Sequence, residues 1–412
     1  MEKFENNLSS EEARKNSLKP EIMTTDATRR GFLAAAATGL SGVALPGASS
    51  AASGAGSKAA GAGAAAVVPL VHPDGTYDTV PLAKETVSLA VMQTRVMPVD
   101  AASPEKGRRE NVAHMLDLID GVQTWSAPKD LLFFHEFPIT GFRFEWTREE
   151  ALGVAIELPG VETEALGKAA LKYHCYIVFG SYVRDVDWPG HLLSVTTIIG
   201  PDGRIVDTHW KPRNVMGLFE IGTKPVELMT STIYNCYDRY VEMYGLDRVI
   251  PVTRTPIGNL CMSSAQSEFE LFRSMALKGG EIFLRTASGG FIQSDMWATA
   301  YYNKVYCAIC SNSVSPGVSR VFEDAGSGGS TIYGPRGEVL ATARSPHEQA
   351  VEAAIPIAAF RARHRIPDFS WPLYKPVYDQ YVQQYPASKF TKNLPASLQD
   401  AAKYLRPDRN WK

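Results

Sequence analysis

Residues 255–285 read TPIGNLCMSSAQSEFELFRSMALKGGEIFLR. The stretch predicts a buried strand, a tight turn and then a helix. A nucleophile is often hung at such a junction, because the turn lifts one side chain clear of the strand while the helix fixes its backbone. Three residues compete for the turn position: Cys261, Ser263 and Ser264.

The chain on either side keeps the same alternation. TVSLAVMQT (86–94) and DLLFFHEF (130–137) are apolar strands, and 107–122 carries Val112, Met115, Leu116 and Ile119 at helical spacing. LPGVETEALGKAALKYHC predicts a helix leading into the strand YIVFGSYVRD. HLLSVTTIIGPDGRIVDTHWK predicts a hairpin turning at Pro201-Asp202-Gly203-Arg204. After the 255–285 stretch come the helix DMWATAYYNKV, the strand YCAICSNS and a last hairpin, GSTIYGPRGEVLATA. Apolar strands alternating with helices imply sheets covered by helices, an α/β layered fold. No internal repeat divides 81–360, which is expected to be one domain. Residues 361–412, rich in Arg, Tyr, Trp and Pro, are expected to form an arm packing on it or on a neighbouring subunit.

Two further segments carry polar residues where burial is expensive. Glu136 ends the apolar strand 130–137 and precedes a Pro/Gly turn. A carboxylate there is costly unless paired or functional, and it suits general-base work; the alternative is a strand-end side chain reaching solvent. Lys211 follows the outgoing strand of the 193–211 hairpin. It could stabilise an oxyanion or pair with a carboxylate, or be one more exposed hairpin lysine.

Taken together, FFHEFPITGF around Glu136, DGRIVDTHWKPRN around Lys211, TPIGNL before the turn, FELFRSMALKGGEIFLRTAS after it and GGSTIYGPRGEVLATA near the end resemble the nitrilase superfamily of carbon–nitrogen hydrolases. The resemblance spans about 86–355. It implies a four-layer α-β-β-α sandwich of the nitrilase/amidase type, a Glu-Lys-Cys triad acting without a cofactor on a small amide or nitrile, and a homo-oligomer.

The sequence departs from that pattern at the nucleophile. Counting back seven residues from Glu270 gives Ser263, with Phe269 where the family has Pro; counting forward seven from Gly258 gives Ala265. Two residues are missing between these landmarks. A two-residue deletion within a strand preserves its inside/outside alternation, which puts Ser263 at the turn. Cys261 is then a core thiol on the same face, about 6.6 Å further into the strand. Ser264 takes the turn if the helix register slips by one. Two readings follow: a hydrolase with a Glu136–Lys211–Ser263 site, and a catalytically silent member kept as a binding or assembly module.

Composition bounds both. The chain has 412 residues, 45% hydrophobic and 21% charged, with a net charge of −2. It can bury a full core, and its balance argues against a nucleic-acid partner held by phosphate contacts. TRRGFLAAAATGLSGVAL (28–45) has a basic pair, Arg29 and Arg30, an Ala-rich apolar run and then small residues. It resembles a twin-arginine signal, expected over 1–52, with an Ala/Gly/Ser linker over 53–80 and a periplasmic or secreted mature protein. No mature segment reaches the roughly 18 apolar residues of a membrane span. The five cysteines have no framework spacing, and Cys307 and Cys310, three apart on a strand, should point to opposite faces as core thiols. The eight histidines form no HxH or HExxH, so no metal is expected. Tyr234, Tyr237, Tyr240 and Tyr244 either lid the pocket or face the core from an amphipathic helix.

Overall fold

A computed structural model of the chain describes residues 70–411, except 215–218, 222–223, 227, 318–326, 392, 399 and 402–409. The segment expected to be a signal peptide, and most of the linker, lie outside the described residues.

In the first sheet β1 (Val87–Gln93), β2 (Leu131–Phe134) and β3 (Tyr176–Val183) run parallel, and β4 (Leu193–Ile199) and β5 (Ile205–Trp210) continue it as antiparallel neighbours. A small hairpin, β6 (Phe219–Ile221) and β7 (Lys224–Val226), follows. The second sheet holds β8 (Thr253–Thr255), β9 (Gly258–Ser263), β10 (Ile282–Thr286), β11 (Tyr306–Cys310), β12 (Thr331–Tyr333) and β13 (Val339–Thr342), with β9, β10 and β11 parallel. The chain then returns to the first sheet, where β14 (Gln349–Ile355) pairs antiparallel with β1. The strand orders are 14-1-2-3-4-5 and 13-12-11-10-9-8.

The period of two along each strand assigns the layers. Leu89 and Val91 of β1 and Leu131 and Phe133 of β2 share one buried cluster with Leu260 and Met262 of β9 and Ile282 and Leu284 of β10. The intervening Ala90, Met92, Leu132 and Phe134 pack instead on α1 (Pro104–Trp125) and α3 (Val161–Tyr173), through Val112, Met115, Ile119 and Leu166. On the other sheet, Cys261, Phe283 and Cys307 meet Phe272 and Met275 of α5 (Phe269–Leu277) and Met296 of α6 (Gln293–Asn303). The result is helices, sheet, sheet, helices: the expected α-β-β-α sandwich. Cys261 is a core thiol, and Cys307 and Cys310 fall in different clusters, as residues three apart on a strand must. The Pro201–Arg204 turn forms with Gly203 at φ +78, and α3 packs so closely over it that a Cβ on Gly167 would lie 2.4 Å from the Gly203 carbonyl oxygen.

Some elements were not expected. The helix α2 (Arg148–Val154) begins with a capping box, in which the Thr147 and Glu150 side chains each bond the other's backbone N–H. Tyr77, in the span read as linker, is buried, and its hydroxyl donates to Glu281 at 2.8 Å. Arg361, on the helix Ile357–Arg363, donates to both oxygens of the same carboxylate at 2.8 and 2.7 Å. That ion pair fixes the chain before β1 and the chain after β14 to the base of β10. Further on, Phe390 and Leu398 are buried against the first sheet's side of the domain, while the helix Trp371–Gln380 leaves its apolar side chains exposed. Among the described residues no helix is long and apolar enough to cross a membrane.

Three buried histidines link this fold to pH. Burial lowers His135, His191 and His364 from 6.5 to about 4, and the Arg148 and Arg239 cations add to the effect at His191. Below pH 6.5 the unfolded chain binds protons at these positions that the folded chain refuses, so stability is lost as pH falls from 6.5 toward 4. Unfolding near pH 5 should therefore take up roughly two to three protons, and the urea midpoint should drop steeply between pH 7 and pH 5. A midpoint that stays level over that interval would mean that these imidazoles are not held neutral.

Candidate active site

The site is assembled where the parallel strands end. Glu136 lies two residues beyond β2, and Lys211 directly follows β5. Both are buried, each only 7% exposed. Lys211 Nζ donates to Glu136 Oε1 at 3.0 Å, and Ser288 Oγ donates to Glu136 Oε2 at 2.9 Å.

Local bonds explain why the chain holds these positions. His135 Nδ1 accepts the Phe137 N–H at 3.2 Å, and its Nε2 lies 3.3 Å from the Arg95 carbonyl. A neutral ring protonated on Nε2 satisfies both contacts, which agrees with its depressed pKa. The ring thereby braces the turn that carries Glu136. Gly180 of β3 passes against this turn, where a Cβ would sit 2.5 Å from the Glu136 carbonyl oxygen, so the neighbouring strand must have glycine here. Lys211 is fixed by its backbone, which donates to Ser194 O at 2.8 Å and accepts from Ile233 N at 3.1 Å.

The third segment arrives from the second sheet. Ser263 is the last residue of β9, and its Oγ accepts the Ala265 N–H at 3.0 Å. Arg285 of β10, 1% exposed, holds the following loop. Its guanidinium donates to Ala265 O and Asp295 Oδ2, both at 2.7 Å, and to Thr299 Oγ1 at 2.8 Å, with its Cζ 3.8 Å from the Phe272 ring centre. Asp295 also accepts the Ser267 N–H at 2.9 Å, where the backbone turns left-handed at φ +56. Then α5 starts at Phe269. Its ring is 47% exposed at the first helical position, where proline's missing N–H would cost nothing and any residue is tolerated.

These parts meet in a cleft of about 100 Å³. Glu136, Lys211, Ser288 and Ser264 contribute to its polar wall; Phe137, Phe142, Phe144 and Tyr182 form much of the rest. Among the described residues that line it, Ser264 is present and Ser263 is not; Ser263 faces the same side as the core thiol Cys261. Tyr182 is fully enclosed, and burial, reinforced by the Glu136 charge, raises its phenol well above the usual range. Tyr240 and Tyr244, on α4 (Tyr237–Tyr244), turn away from the cleft and pack on Trp210, with ring centres 5.2 and 6.2 Å away. Sequence reading missed Ser288, Arg285 and the aromatic wall. FPITGFRF was visible as aromatic, but nothing in its spacing says that three of its rings converge on one cleft.

A Glu–Lys pair and a seryl turn in this order along the chain can be compared with known proteins. The family model for carbon-nitrogen hydrolases matches residues 89–365. The chain belongs to the carbon-nitrogen hydrolase family. Among solved structures it is similar to Nit3 of Saccharomyces cerevisiae, a member of branch 10 of the nitrilase superfamily. The two are 15% identical, with 68% of this chain and 97% of Nit3 covered at a TM-score of 0.51. A doubly substituted amidase from Nesterenkonia sp. AN1, solved in complex with acrylamide, is 16% identical, with 73% of this chain and all of that one covered at a TM-score of 0.49. At such identities the likeness to Nit3 is one of fold.

Among the described residues no group of His, Cys, Asp and Glu side chains is placed to hold a metal ion. Among the described residues that line the cleft, the charged ones are Glu136 and Lys211. Removing one partner of a buried pair leaves the other charge unmatched, at a cost of about 3–5 kcal/mol. Lys211→Ala should destabilise the protein by that order in urea unfolding. The double change Lys211→Met with Glu136→Gln should cost markedly less than the two single changes together. Additive losses would show that the two groups do not interact in solution.

Proposed function

We propose that this family member hydrolyses the carbon–nitrogen bond of a small amide or nitrile at the Glu136–Lys211 cleft, through a seryl hydroxyl of the Ser263–Ser264 step. The observation that carries the reading is the 3.0 Å contact of Lys211 with Glu136 in a cleft that Ser264, the residue after β9, also lines. For an amide, the hydroxyl attacks the carbonyl carbon and Glu136 takes its proton. Lys211 holds the developing oxyanion. The tetrahedral intermediate expels ammonia, which receives the proton from Glu136. Water, deprotonated by the same carboxylate, then cleaves the acyl-serine ester and restores the hydroxyl.

Of the two serines, Ser263 is the residue reached by counting back from Glu270, and Ser264 is the one on the cleft wall. The bond from Ala265 N–H to Ser263 Oγ supports Ser263 as the fastener of the turn and Ser264 as the attacking group. One observation favours the alternative, a silent binding module: both oxygens of Glu136 are already engaged, by Lys211 and Ser288.

Replacing each serine by cysteine separates these readings. The five native cysteines are buried, and burial pushes Cys175 up to about 11 and Cys236 and Cys307 to about 12, with Cys261 and Cys310 also raised. The wild-type protein should therefore resist a thiol-directed electrophile. Ser264→Cys should label rapidly near neutral pH and lose that labelling in a Glu136→Gln background. Labelling of Ser263→Cys instead would move the nucleophile to Ser263, and labelling of neither folded variant would favour the silent module.

Export through a twin-arginine route is part of the same proposal, supported by Arg29-Arg30 and the Ala-rich run after them. Changing both arginines to lysine should leave the precursor in the cytoplasm, measured by fractionation. Normal export of the double variant would remove this part.

A further inference from the structure

We propose that Phe137, Phe142, Phe144 and Tyr182 form an acyl-binding wall that selects substrates with a short, uncharged, apolar acyl group. This inference rests on the reading of the cleft as a carbon–nitrogen hydrolase site and gives that site its substrate class.

The four rings make one continuous surface. Phe142 stacks on Phe137 at 5.6 Å and 15°, Phe144 meets Phe142 edge-on at 4.7 Å, and Tyr182 lies 4.5 Å from Phe137. Phe137 and Tyr182 are buried and back the surface; Phe142 and Phe144 are half-buried and present it to the cleft. The wall belongs to the Glu136 side of the site. Phe137, Phe142 and Phe144 come from the segment that follows Glu136, and Tyr182 from the adjacent β3. A carbonyl carbon held beside Glu136 and Lys211 would have its substituent lying against these rings.

Charge narrows the ligand. Among the described residues lining the cleft, Lys211 and Glu136 alone carry charge, and they are paired with each other. Among those described residues there is no second cation to match a carboxylate on the acyl group, and no second anion to match an ammonium. A charged substituent against the aromatic wall would lose its hydration and gain no partner. Size narrows it further. A dry apolar cavity of about 150 Å³ accepts benzene, and this cleft measures about 100 Å³. An acyl group of about four carbons fits that space, and a phenyl group is too large.

The test uses the full-length mature protein with the straight-chain amides from acetamide to hexanamide, benzamide and succinamate. Ammonia release gives kcat/KM, and saturation-transfer NMR gives binding independently of turnover. Specificity should rise about four-fold per methylene up to butyramide and then fall, with benzamide poor and succinamate at least about a hundred-fold below butyramide. Phe142→Ala should shift the optimum to longer chains; if that variant does not fold, Phe144→Leu should shift it in the same direction. Succinamate used as well as butyramide, or an optimum unmoved in a folded variant, would overturn the wall. Chain-length-ordered binding with no ammonia released would leave the wall standing and remove the hydrolase reading. Neither binding nor turnover with any neutral amide would overturn the wall.

Discussion

The buried contact between Glu136 and Lys211 is the constraint around which the rest of this structure is arranged. Two opposite charges, each almost wholly withdrawn from water, persist only if they meet at hydrogen-bond distance and have other partners for their remaining polar atoms. The fold meets that demand with Ser288 on the free carboxylate oxygen and a neutral His135 bracing the turn behind it. Gly180 gives the room for the next strand to pass. The pair joins the ends of β2 and β5, at different places in one sheet, and Ser288 adds the end of β10 from the other. It is therefore both a seam between the sheets and the only charged feature among the described walls of the cleft.

The sandwich makes such a seam possible. Parallel strands β1 to β3 and β9 to β11 stack with their alternate residues interlocked, so their ends open toward shared space. Arg285 then does for the second sheet what His135 does for the first. Its buried guanidinium gathers Ala265, Asp295 and Thr299, and through Asp295 the Ser267 amide, so the loop between β9 and α5 is held from beneath. A serine hydroxyl at such a rigid turn is a far weaker acid than a thiol, so under the proposed function the neighbouring carboxylate would carry the greater weight as base.

Much of this was legible in the sequence, for identifiable reasons. The apolar runs of β1 and β2 and the helical spacing of Val112, Met115, Leu116 and Ile119 in α1 are local signals, so a layered α/β fold could be read from them. Glu136 and Lys211 could be singled out because charged residues at the ends of apolar strands are costly. What stayed hidden depends on contacts between distant segments. Nothing near Ser288 signals its bond to Glu136, 152 positions away. The choice between Ser263 and Ser264 is a matter of register at a turn, where a shift of one residue reverses the facing side, and sequence counts from the two flanks disagreed by two. The tyrosines of 231–249 had the spacing of both a lid and a packed helix; for Tyr240 and Tyr244, Trp188 and Trp210, far off in sequence, decide it by offering a surface.

The central claim is that a serine in the Thr255–Arg273 segment forms a covalent acyl intermediate beside the Glu136–Lys211 pair. Its most direct test is acid-quenched mass spectrometry of the wild-type protein during turnover of a small amide, with trypsin releasing Thr255–Arg273 as one peptide. The account predicts that this peptide gains the mass of the acyl group minus one hydrogen, localised by fragmentation to Ser263 or Ser264 and lost on mild base. An acyl increment found on any other peptide, or amide consumed with no increment on this one, would contradict it.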